Sequence, residues 1–329
     1  MKRLLALLLI LAACIPAWAA KAPPYTYFRV GNANDITTAT TAGTVLMGGG
    51  TDVDAAFQWM CGLAGNGDFL VIRATGTDAY NPYIQQLCPS VNSVATLIIP
   101  SLTAANDANV AAIMQKAEAI WIAGGDQSNY INFWTGTPVQ AILKSKISAG
   151  VPVGGTSAGM NVLTQFVYSA LAPQGATSSQ SLADPFNRYL TFARDFANVS
   201  KLTGVIGDPH FVTRDRMGRD LAFLCRVAAN GWSNAPRGVA VDEQTALLID
   251  GNGNATVVGS STAYFLQAPG LPQVCAAKTP LTYLNIAVQR INSAGTFNFG
   301  TWTATGATNY TVSANAGVLS STQAGGSAY

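Results

Sequence analysis

The serine in the segment GTSAG, residues 155–159, is the strongest chemical signal in this chain. An apolar stretch at 151–154 precedes it, and a stretch of helical character at 160–166 follows. Flanking glycines permit a tight turn between a strand and a helix, and such a turn raises the serine hydroxyl above a sheet. Ser157 is therefore a candidate nucleophile, with the Ala158 N–H as a donor to a developing oxyanion. The alternative is an ordinary glycine-rich turn, because this five-residue pattern is common.

A serine is a weak nucleophile unless a base removes its proton. The only histidine of the chain is His210, which follows a short apolar strand predicted at 204–206. It is therefore expected at the C-terminal end of a strand, where α/β folds collect functional groups. An acid that orients the imidazole is the third requirement. Glu243, at the end of an apolar segment, is favoured over the alternatives Asp242 and Asp208.

Three arginines follow the candidate base within nine positions, at 214, 216 and 219. The planar guanidinium group matches the geometry of a carboxylate, so these residues predict a site for an acidic group of a substrate. The alternative is a solvated surface on which the arginines pair with Asp215 and Asp220.

The elements that must position these residues alternate from residue 43 onward. Short apolar strands are predicted at 43–50, 68–74, 94–100, 119–123 and 151–154, and helices at 52–63, 108–117 and 128–147. Continuous apolar strands that alternate with helices are typical of a parallel sheet covered on both faces. The fold class is therefore α/β, with a doubly wound, mostly parallel sheet.

The second half of the chain is less regular. Residues 168–200 are polar and predict a long surface excursion, and 216–230 predict a helix. Strands are predicted at 238–250 and 255–267, joined by a Gly-Asn-Gly-Asn turn. No charged residue follows Arg290, and this tail predicts short strands. We expect a signal peptide at 1–19, an N-terminal extension at 20–42, an α/β domain at 43–290 and a β-rich C-terminal tail at 291–329.

The N-terminus predicts export. Lys2 and Arg3 precede an apolar stretch that ends in Pro16 and a small-residue cleavage pattern, with cleavage expected after Ala19. A periplasmic or extracellular protein is the favoured interpretation. The alternative is a lipoprotein anchored through Cys14, because residues 11–14 resemble a lipoprotein box.

Cysteines of an exported protein are expected to form disulfides. Without Cys14 four remain, an even number in an oxidising compartment, and chain proximity favours Cys61 with Cys88 and Cys225 with Cys275 among three pairings. A metal site is not predicted, because the chain has no CxxC motif and a single histidine.

The charge balance argues against a nucleic-acid partner. Once Lys2 and Arg3 are removed, 16 basic residues face 16 acidic ones, so no positive field remains to attract a polyanion. No cofactor and no integral membrane segment in the processed chain are predicted. The sequence leaves the oligomeric state open, a homodimer included.

Four segments together resemble a known family. They are GGDQ at 124–127, GTSAG at 155–159, the DxHF stretch from Asp208 with its three arginines, and VDEQTA at 241–246. The chain resembles the cyanophycinase and aspartyl dipeptidase family, peptidase family S51, over about residues 43–265. One departure is Pro209, which stands where cyanophycinases often have a polar residue.

The resemblance implies a flavodoxin-like fold related to class I glutamine amidotransferases. It implies a secreted serine exopeptidase that cleaves aspartyl peptides, either β-Asp-Arg or Asp-Xaa, through an acyl-enzyme. The residues it implies are Ser157, His210 and Glu243 as the triad, Gly125 and Ala158 as oxyanion donors, and Gln127, Asp208, Arg214, Arg216 and Arg219 as substrate-binding residues.

Two other functions compete with this one. An esterase of the α/β-hydrolase type would place its histidine near the C-terminus and after the acid, whereas His210 precedes Glu243. A catalytically inactive cell-surface binding protein of the same fold is the second alternative, and the uncharged tail is compatible with it.

Overall fold

The computed structural model describes residues 22–329. The predicted signal peptide and the candidate lipid-bearing Cys14 lie outside the described residues. The described strands are β1 Thr26–Gly31, β2 Gly43–Met47, β3 Asp68–Arg73, β4 Ser93–Ile98, β5 Ala119–Ile122, β6 Val153–Thr156, β7 Phe166–Tyr168, β8 Phe192–Arg194, β9 Val205–Pro209, β10 Arg237–Val241, β11 Thr245–Asp250, β12 Asn254–Gly259, β13 Ala263–Gln267, β14 Tyr283–Ile291, β15 Thr296–Asn298, β16 Thr303–Thr305, β17 Thr308–Asn315 and β18 Val318–Ser321.

The helices lie mainly between the strands of the first half. They are α1 Asp54–Leu63, α2 Tyr80–Leu87, α3 Leu102–Ala105, α4 Ala108–Gln115, α5 Gln127–Trp134, α6 Pro138–Ser148, α7 Ala158–Asn161, α8 Ser178–Ala183 and α9 Met217–Ala229. Short 3-10 turns follow at Ser200–Leu202 and Ala324–Gly326. Among residues 22–329, no helix combines the length and the apolar character that crossing a membrane requires.

The first sheet confirms the predicted fold class. Its strand order is β1-β4-β3-β5-β6-β2-β11-β12-β15-β16, and the five strands from β4 to β2 run parallel. Strands β2, β5 and β6 are buried along their whole length, because helices or the second sheet cover both faces. At one edge β1, from the predicted N-terminal extension, pairs antiparallel with β4.

A second sheet adds to this architecture, with the order β18-β17-β14-β13-β10-β9-β7-β8. The prediction of two continuous strands at 238–250 and 255–267 is wrong for this reason. The chain leaves the second sheet after β10, forms the β11–β12 hairpin in the first sheet, and returns to the second sheet as β13. Residues 242–244 and 260–262 are the two crossings between the sheets.

The Asp242 carboxylate holds the two crossings together. It accepts hydrogen bonds from Ser261 Oγ at 2.6 Å and from Thr262 Oγ1 at 2.9 Å. It also accepts the Val212 N–H at 3.1 Å. Because Asp242 is 4% exposed, these donors replace the water that a charged carboxylate would otherwise require. The same side chain therefore fixes three loops at the junction of the sheets.

Three further predictions need correction. The helix expected at 128–147 is two helices, because Gly136 adopts a φ of +73° and Pro138 starts α6. The helical stretch expected at 160–166 ends at Asn161 and gives way to β7. Residues 168–200 do not only run over the surface, since they contain α8 and β8 and bury apolar side chains. Those side chains include Leu182, Leu190 and Phe196.

The uncharged tail forms the short strands that its composition predicts, and they complete both sheets. Strands β15 and β16 extend the first sheet, whereas β17 and β18 extend the second. Phe297 of the tail stacks on Phe265 with 3.5 Å between the ring centroids, and Trp302 packs against both. Residues 291–329 therefore contribute to the core between the sheets.

The favoured cysteine pairing is also confirmed. Cys61 of α1 and Cys88 after α2 lie at disulfide distance, as do Cys225 of α9 and Cys275. The Cα–Cα separations are 6.4 Å and 6.1 Å. The first pair ties two neighbouring helices, and the second ties α9 to the loop before β14.

Candidate active site

Ser157 lies at a strained turn between β6 and α7. Its φ of +53° and ψ of −113° are unfavourable for a residue with a side chain, at a cost of ~1–3 kcal/mol. The Ser157 N–H donates to the Met47 carbonyl at 3.0 Å. A Cβ on Gly159 would overlap the Ile122 carbonyl, and one on Gly155 would overlap the backbone of Gly159. The glycines therefore permit close packing, while Ser157 itself takes the strained angles.

The single histidine lies against this serine. His210 follows β9, and its Nε2 is 2.7 Å from Ser157 Oγ. Its backbone has a φ of +51°, and its N–H donates to the Gly48 carbonyl at 2.8 Å. The residue is 5% exposed. The interaction joins the first sheet, which carries Ser157, to the second, which carries His210.

Glu243 completes the chain of hydrogen bonds. The imidazole Nδ1 lies 2.5 Å from Glu243 Oε1. Parallel pairing sets this contact, because Pro209 of β9 is opposite Val241 of β10, so the residues that follow both strands emerge side by side. When Nδ1–H donates to the carboxylate, Nε2 is free to accept the Ser157 hydroxyl hydrogen. Neither Asp242 nor Asp208 makes this contact.

A glycine loop at 48–50, directly after β2, supports both His210 and Glu243. The Gly49 carbonyl accepts the Gln244 N–H at 2.8 Å, next to Glu243. A Cβ on Gly49 would overlap the His210 imidazole, and one on Gly50 would lie 3.0 Å from the Cβ of Glu243. The triple glycine is visible in the sequence, but its partners, about 160–195 residues away in the chain, are not.

The two expected oxyanion donors lie on the two loops that meet at Ser157. Ala158 is the first residue of α7, and Gly124 lies beside the serine, with a Cβ on Gly124 at 3.5 Å from that of Ser157. The Tyr130 hydroxyl is 2.8 Å from the Ala123 carbonyl and 3.3 Å from that of Gly124. Since a trans peptide directs its C=O and N–H oppositely, the Gly125 N–H faces away from Tyr130.

Tyr130 is a residue that the sequence reasoning missed. It is 1% exposed and stacks on Trp134 of α5, so its hydroxyl is held in place beneath the 123–125 loop. Its position three residues after Gln127 places it one helical turn into α5, which is the only signal that the sequence offers.

The expected substrate-binding residues divide into two groups. Arg214 is 53% exposed, with Nε 4.0 Å from Glu243 Oε1, and Gln127 lies at the start of α5 and donates to the Tyr168 carbonyl at 3.2 Å. Asp208, in contrast, is fully buried and accepts two hydrogen bonds from Arg219, which is itself 3% exposed.

Asp208 and Arg219, which were expected to contact substrate, therefore have each other as partners in the structure. Each satisfies the other inside the protein, and a buried charge so paired is not free to bind a ligand. Arg216 is intermediate between the exposed Arg214 and the buried Arg219. It donates to Asp208 at 3.2 Å and to the Pro209 carbonyl at 2.6 Å. Burial lowers its pKa to about 10. The neighbouring Asp220 is fully buried, and burial raises its pKa well above the ordinary value.

Burial and three neighbouring charged residues, Glu243, Arg214 and Arg216, set the pKa of His210. Burial lowers its pKa from the ordinary value of 6.5, and the hydrogen bond with Glu243 acts in the opposite direction. Arg214 and Arg216 lower the pKa further by charge repulsion. The imidazole is consequently neutral at neutral pH, which is the state that accepts a proton from serine.

Comparison with known proteins identifies relatives of this chain. The family model of peptidase family S51 matches residues 45–257. A cyanophycinase of Geminocystis herdmanii is 26% identical over 192 residues, 56% of this chain and 64% of that protein. A cyanophycinase of Trichormus variabilis is 26% identical over 195 residues, 57% of this chain and 59% of that protein. The alignments thus span less than two thirds of these relatives.

A solved structure shares the fold. The crystal structure of a peptidase from an acI-B1 Actinobacterium superposes with a TM-score of 0.53 at 14% sequence identity. The superposition covers 79% of this chain and 98% of that one.

The glycine loop generates the first prediction. Gly49→Ala introduces a methyl group into the space of the imidazole, so His210 should leave its position between Ser157 and Glu243. Because the chain has one histidine, its ring signal in NMR reports this directly. We expect a changed chemical shift and a pKa that returns toward 6.5.

The matched control is Gly231→Ala. Gly231 has a similarly positive φ of +70°, but nothing lies within 4 Å of an added Cβ. This variant should therefore lose stability without any change in the histidine signal. Identical histidine signals in wild type and Gly49→Ala would refute the role given to the loop.

Proposed function

The chain belongs to peptidase family S51, and on that premise we propose that it is a serine-type exopeptidase that cleaves aspartyl peptides. Ser157 is the nucleophile, His210 the general base and Glu243 the orienting acid. The observation that carries the proposal is the continuous chain of hydrogen bonds, 2.7 Å from serine to histidine and 2.5 Å from histidine to glutamate.

Acylation starts with proton transfer from Ser157 Oγ to His210 Nε2 as the oxygen attacks the scissile carbonyl carbon. The imidazole becomes positively charged, and the Glu243 carboxylate stabilises that charge through Nδ1–H. The imidazolium then gives its proton to the leaving nitrogen, the C–N bond breaks, and an ester forms on Ser157. Water, deprotonated by the same imidazole, releases the acid and regenerates the serine.

The N–H groups of Gly125 and Ala158 stabilise the negative oxygen of the tetrahedral intermediates. Both belong to fixed backbone, one above the Tyr130 hydroxyl and the other at the elbow, so no reorganisation is needed as charge develops. Support for this comes from the position of the two loops against Ser157.

Arg214 selects the substrate in this proposal. Arg216 and Arg219 share the single carboxylate of Asp208, so these three residues together carry one net positive charge. Arg214 adds a second positive charge near the imidazole. A free carboxylate of an aspartyl group pairs with Arg214 and presents the adjacent amide to Ser157. Gln127 binds a polar group of the same substrate from the opposite loop. The linkage is β-Asp-Arg or α-linked Asp-Xaa.

We also infer that the protein works outside the cytoplasm. Two cysteine pairs at disulfide distance support this, because disulfides persist in oxidising compartments and are rare in the cytosol. The N-terminal segment predicted to direct export agrees with it.

The triad predicts a characteristic pattern of losses. Ser157→Ala and His210→Ala should each reduce kcat by ~10⁴-fold or more, and the double variant should be scarcely worse, because the two residues act as one unit. Glu243→Gln should reduce kcat by ~10²–10⁴-fold. Hydrolysis of a β-Asp-Arg dipeptide, followed by amine release, measures this, with Ser320→Ala on the exposed strand β18 as the control. Independent, multiplicative losses in the double variant would contradict the triad.

The acid limb of the pH profile follows from His210. Its lowered pKa means that protonation, and hence loss of kcat/KM, occurs below pH 6.5. Arg214→Ala removes a positive charge that lowers this pKa, so the midpoint should move to higher pH. Rates of a neutral Ala-headed peptide between pH 4 and 8 test both points. A wild-type midpoint above 6.5 would contradict the assignment of His210.

Specificity provides a third test. Matched peptides headed by Asp, Asn and Ala should differ in kcat/KM by ~10-fold or more in favour of Asp, a difference of about 1.4 kcal/mol. Arg214→Ala should remove the preference. Arg194→Ala is the matched control, because Arg194 is similarly exposed, 48% against 53%, and pairs with Asp195 instead. Equal rates for the three peptides in wild type would refute the aspartyl preference while leaving the triad untouched.

A further inference from the structure

Tyr329 lies outside the region that the family model matches, yet its ring packs against residues 210–216, the segment that follows β9 and begins with His210. The ring meets Phe211 edge-on, with 5.5 Å between centroids and an interplanar angle of 82°. It also meets Tyr264 of β13 at 6.3 Å and 88°. Phe211 is fully buried and directly follows His210. The tail thus covers the residue beside the proposed base.

The Tyr329 hydroxyl makes two hydrogen bonds at the start of α9. It accepts the Met217 N–H at 2.8 Å and donates to Asp215 Oδ1 at 2.8 Å. The residue before the helix, Arg216, provides no side-chain cap, because a guanidinium has no acceptor for the helix N–H groups. Tyr329 therefore satisfies a helix N-terminal donor from 112 residues away in the chain.

The segment from His210 to Arg216 is one hydrogen-bonded turn that connects the end of β9 to the start of α9. The Arg214 N–H donates to the His210 carbonyl at 3.1 Å, and the Arg216 N–H donates to the Phe211 carbonyl at 2.9 Å. His210 and Asp215 both have positive φ, +51° and +46°, which is unfavourable for residues with side chains. Such a turn keeps its shape only when its surroundings hold it.

The two ends of this turn are held by different parts of the molecule. Gly48 and Glu243 hold His210 at the start, through a backbone and a side-chain hydrogen bond. At the other end, Tyr329 binds Asp215 and Met217, and its ring closes over Phe211. Asp242 also binds the turn through the Val212 N–H, and Ser178 Oγ donates to the Asp215 carbonyl. Tyr329 is the residue that restrains both the Asp215 carboxylate and the Phe211 ring, so its loss loosens the turn at these two points and lets His210 shift.

We propose that Tyr329 is a positioning residue of the active site, which fixes the 210–216 turn and thereby holds the His210 imidazole against Ser157. The inference rests on the proposed function for its kinetic consequence, but its structural consequence is measurable on the histidine alone. The C-terminal tail thereby restrains the end of the 210–216 turn that lies away from His210.

The experiment compares three variants of the full chain, expressed without added histidines. Tyr329→Ala removes both the ring and the hydroxyl, whereas Tyr329→Phe keeps the ring. Trp302→Ala is the control: Trp302 is another aromatic residue of the tail, it is buried, and it packs against Phe297 of β15. The readouts are thermal unfolding, kcat and KM for a β-Asp-Arg dipeptide, and the pH titration of the single imidazole signal by NMR. Glu243, Arg214 and Arg216 are the charged groups that act on that imidazole.

For Tyr329→Ala we expect kcat to fall by ~10-fold or more with KM nearly unchanged, since the substrate-binding groups remain. The imidazole signal should broaden, and its pKa should rise toward 6.5 as water reaches the ring. Tyr329→Phe should restore most of the packing, with a kcat between that of wild type and Tyr329→Ala. Trp302→Ala should lose stability but keep the wild-type histidine titration.

Each result bears on the inference. A Tyr329→Ala protein with wild-type kcat and histidine titration overturns it. Equal changes in Tyr329→Ala and Trp302→Ala at equal loss of stability also overturn it, because the role would then be general stabilisation. If Tyr329→Ala does not fold, the same comparison is made between wild type and Tyr329→Phe, and identical titrations and kcat overturn it. A wild-type protein that cleaves no peptide refutes the proposed function, while the histidine signal still tests Tyr329.

Discussion

The hydrogen bond between Ser157 and His210 joins two separate β-sheets, so the site depends on a fixed position of one sheet relative to the other. Ser157 follows a strand of the first sheet, and His210 follows a strand of the second. The chain crosses between the sheets on either side of the β11–β12 hairpin, and Glu243 lies on the first crossing. Asp242, on the same crossing, accepts hydrogen bonds from Ser261 and Thr262 of the second crossing. Relative movement of the sheets would therefore separate Ser157 from the hydrogen-bonded pair of His210 and Glu243.

Close backbone packing and local strain accompany this geometry. The glycines of the elbow and of the 48–50 loop occupy positions where a Cβ would overlap a neighbour. Ser157, His210 and Gln244 all have positive φ, each at a cost of ~1–3 kcal/mol. Such conformations persist only because many buried apolar contacts surround them, among them the aromatic cluster to which the tail contributes Phe297.

The sequence predicts those features that local pattern determines. The parallel strands are continuous apolar runs, the elbow is a contiguous motif, and a single histidine leaves no choice of base of that type. Proximity along the chain also favours, among three possible pairings, the cysteine pairing that the structure shows. What local pattern cannot show is which strand belongs to which sheet, because the predicted strand at 238–250 changes sheets at a turn without glycine or proline. Nor can it show that Arg219 pairs with a buried Asp208, since burial is a property of the whole fold.

The central claim is that Ser157 forms a covalent intermediate with the help of His210. The most direct measurement is acid quenching of a single turnover with an aspartyl p-nitroanilide, followed by mass spectrometry of the digested protein. We predict an added aspartyl group on the peptide that contains Ser157, formed as fast as p-nitroaniline is released, and none in His210→Ala. Release of p-nitroaniline with no covalent adduct on Ser157, or with an adduct on another residue, would contradict it.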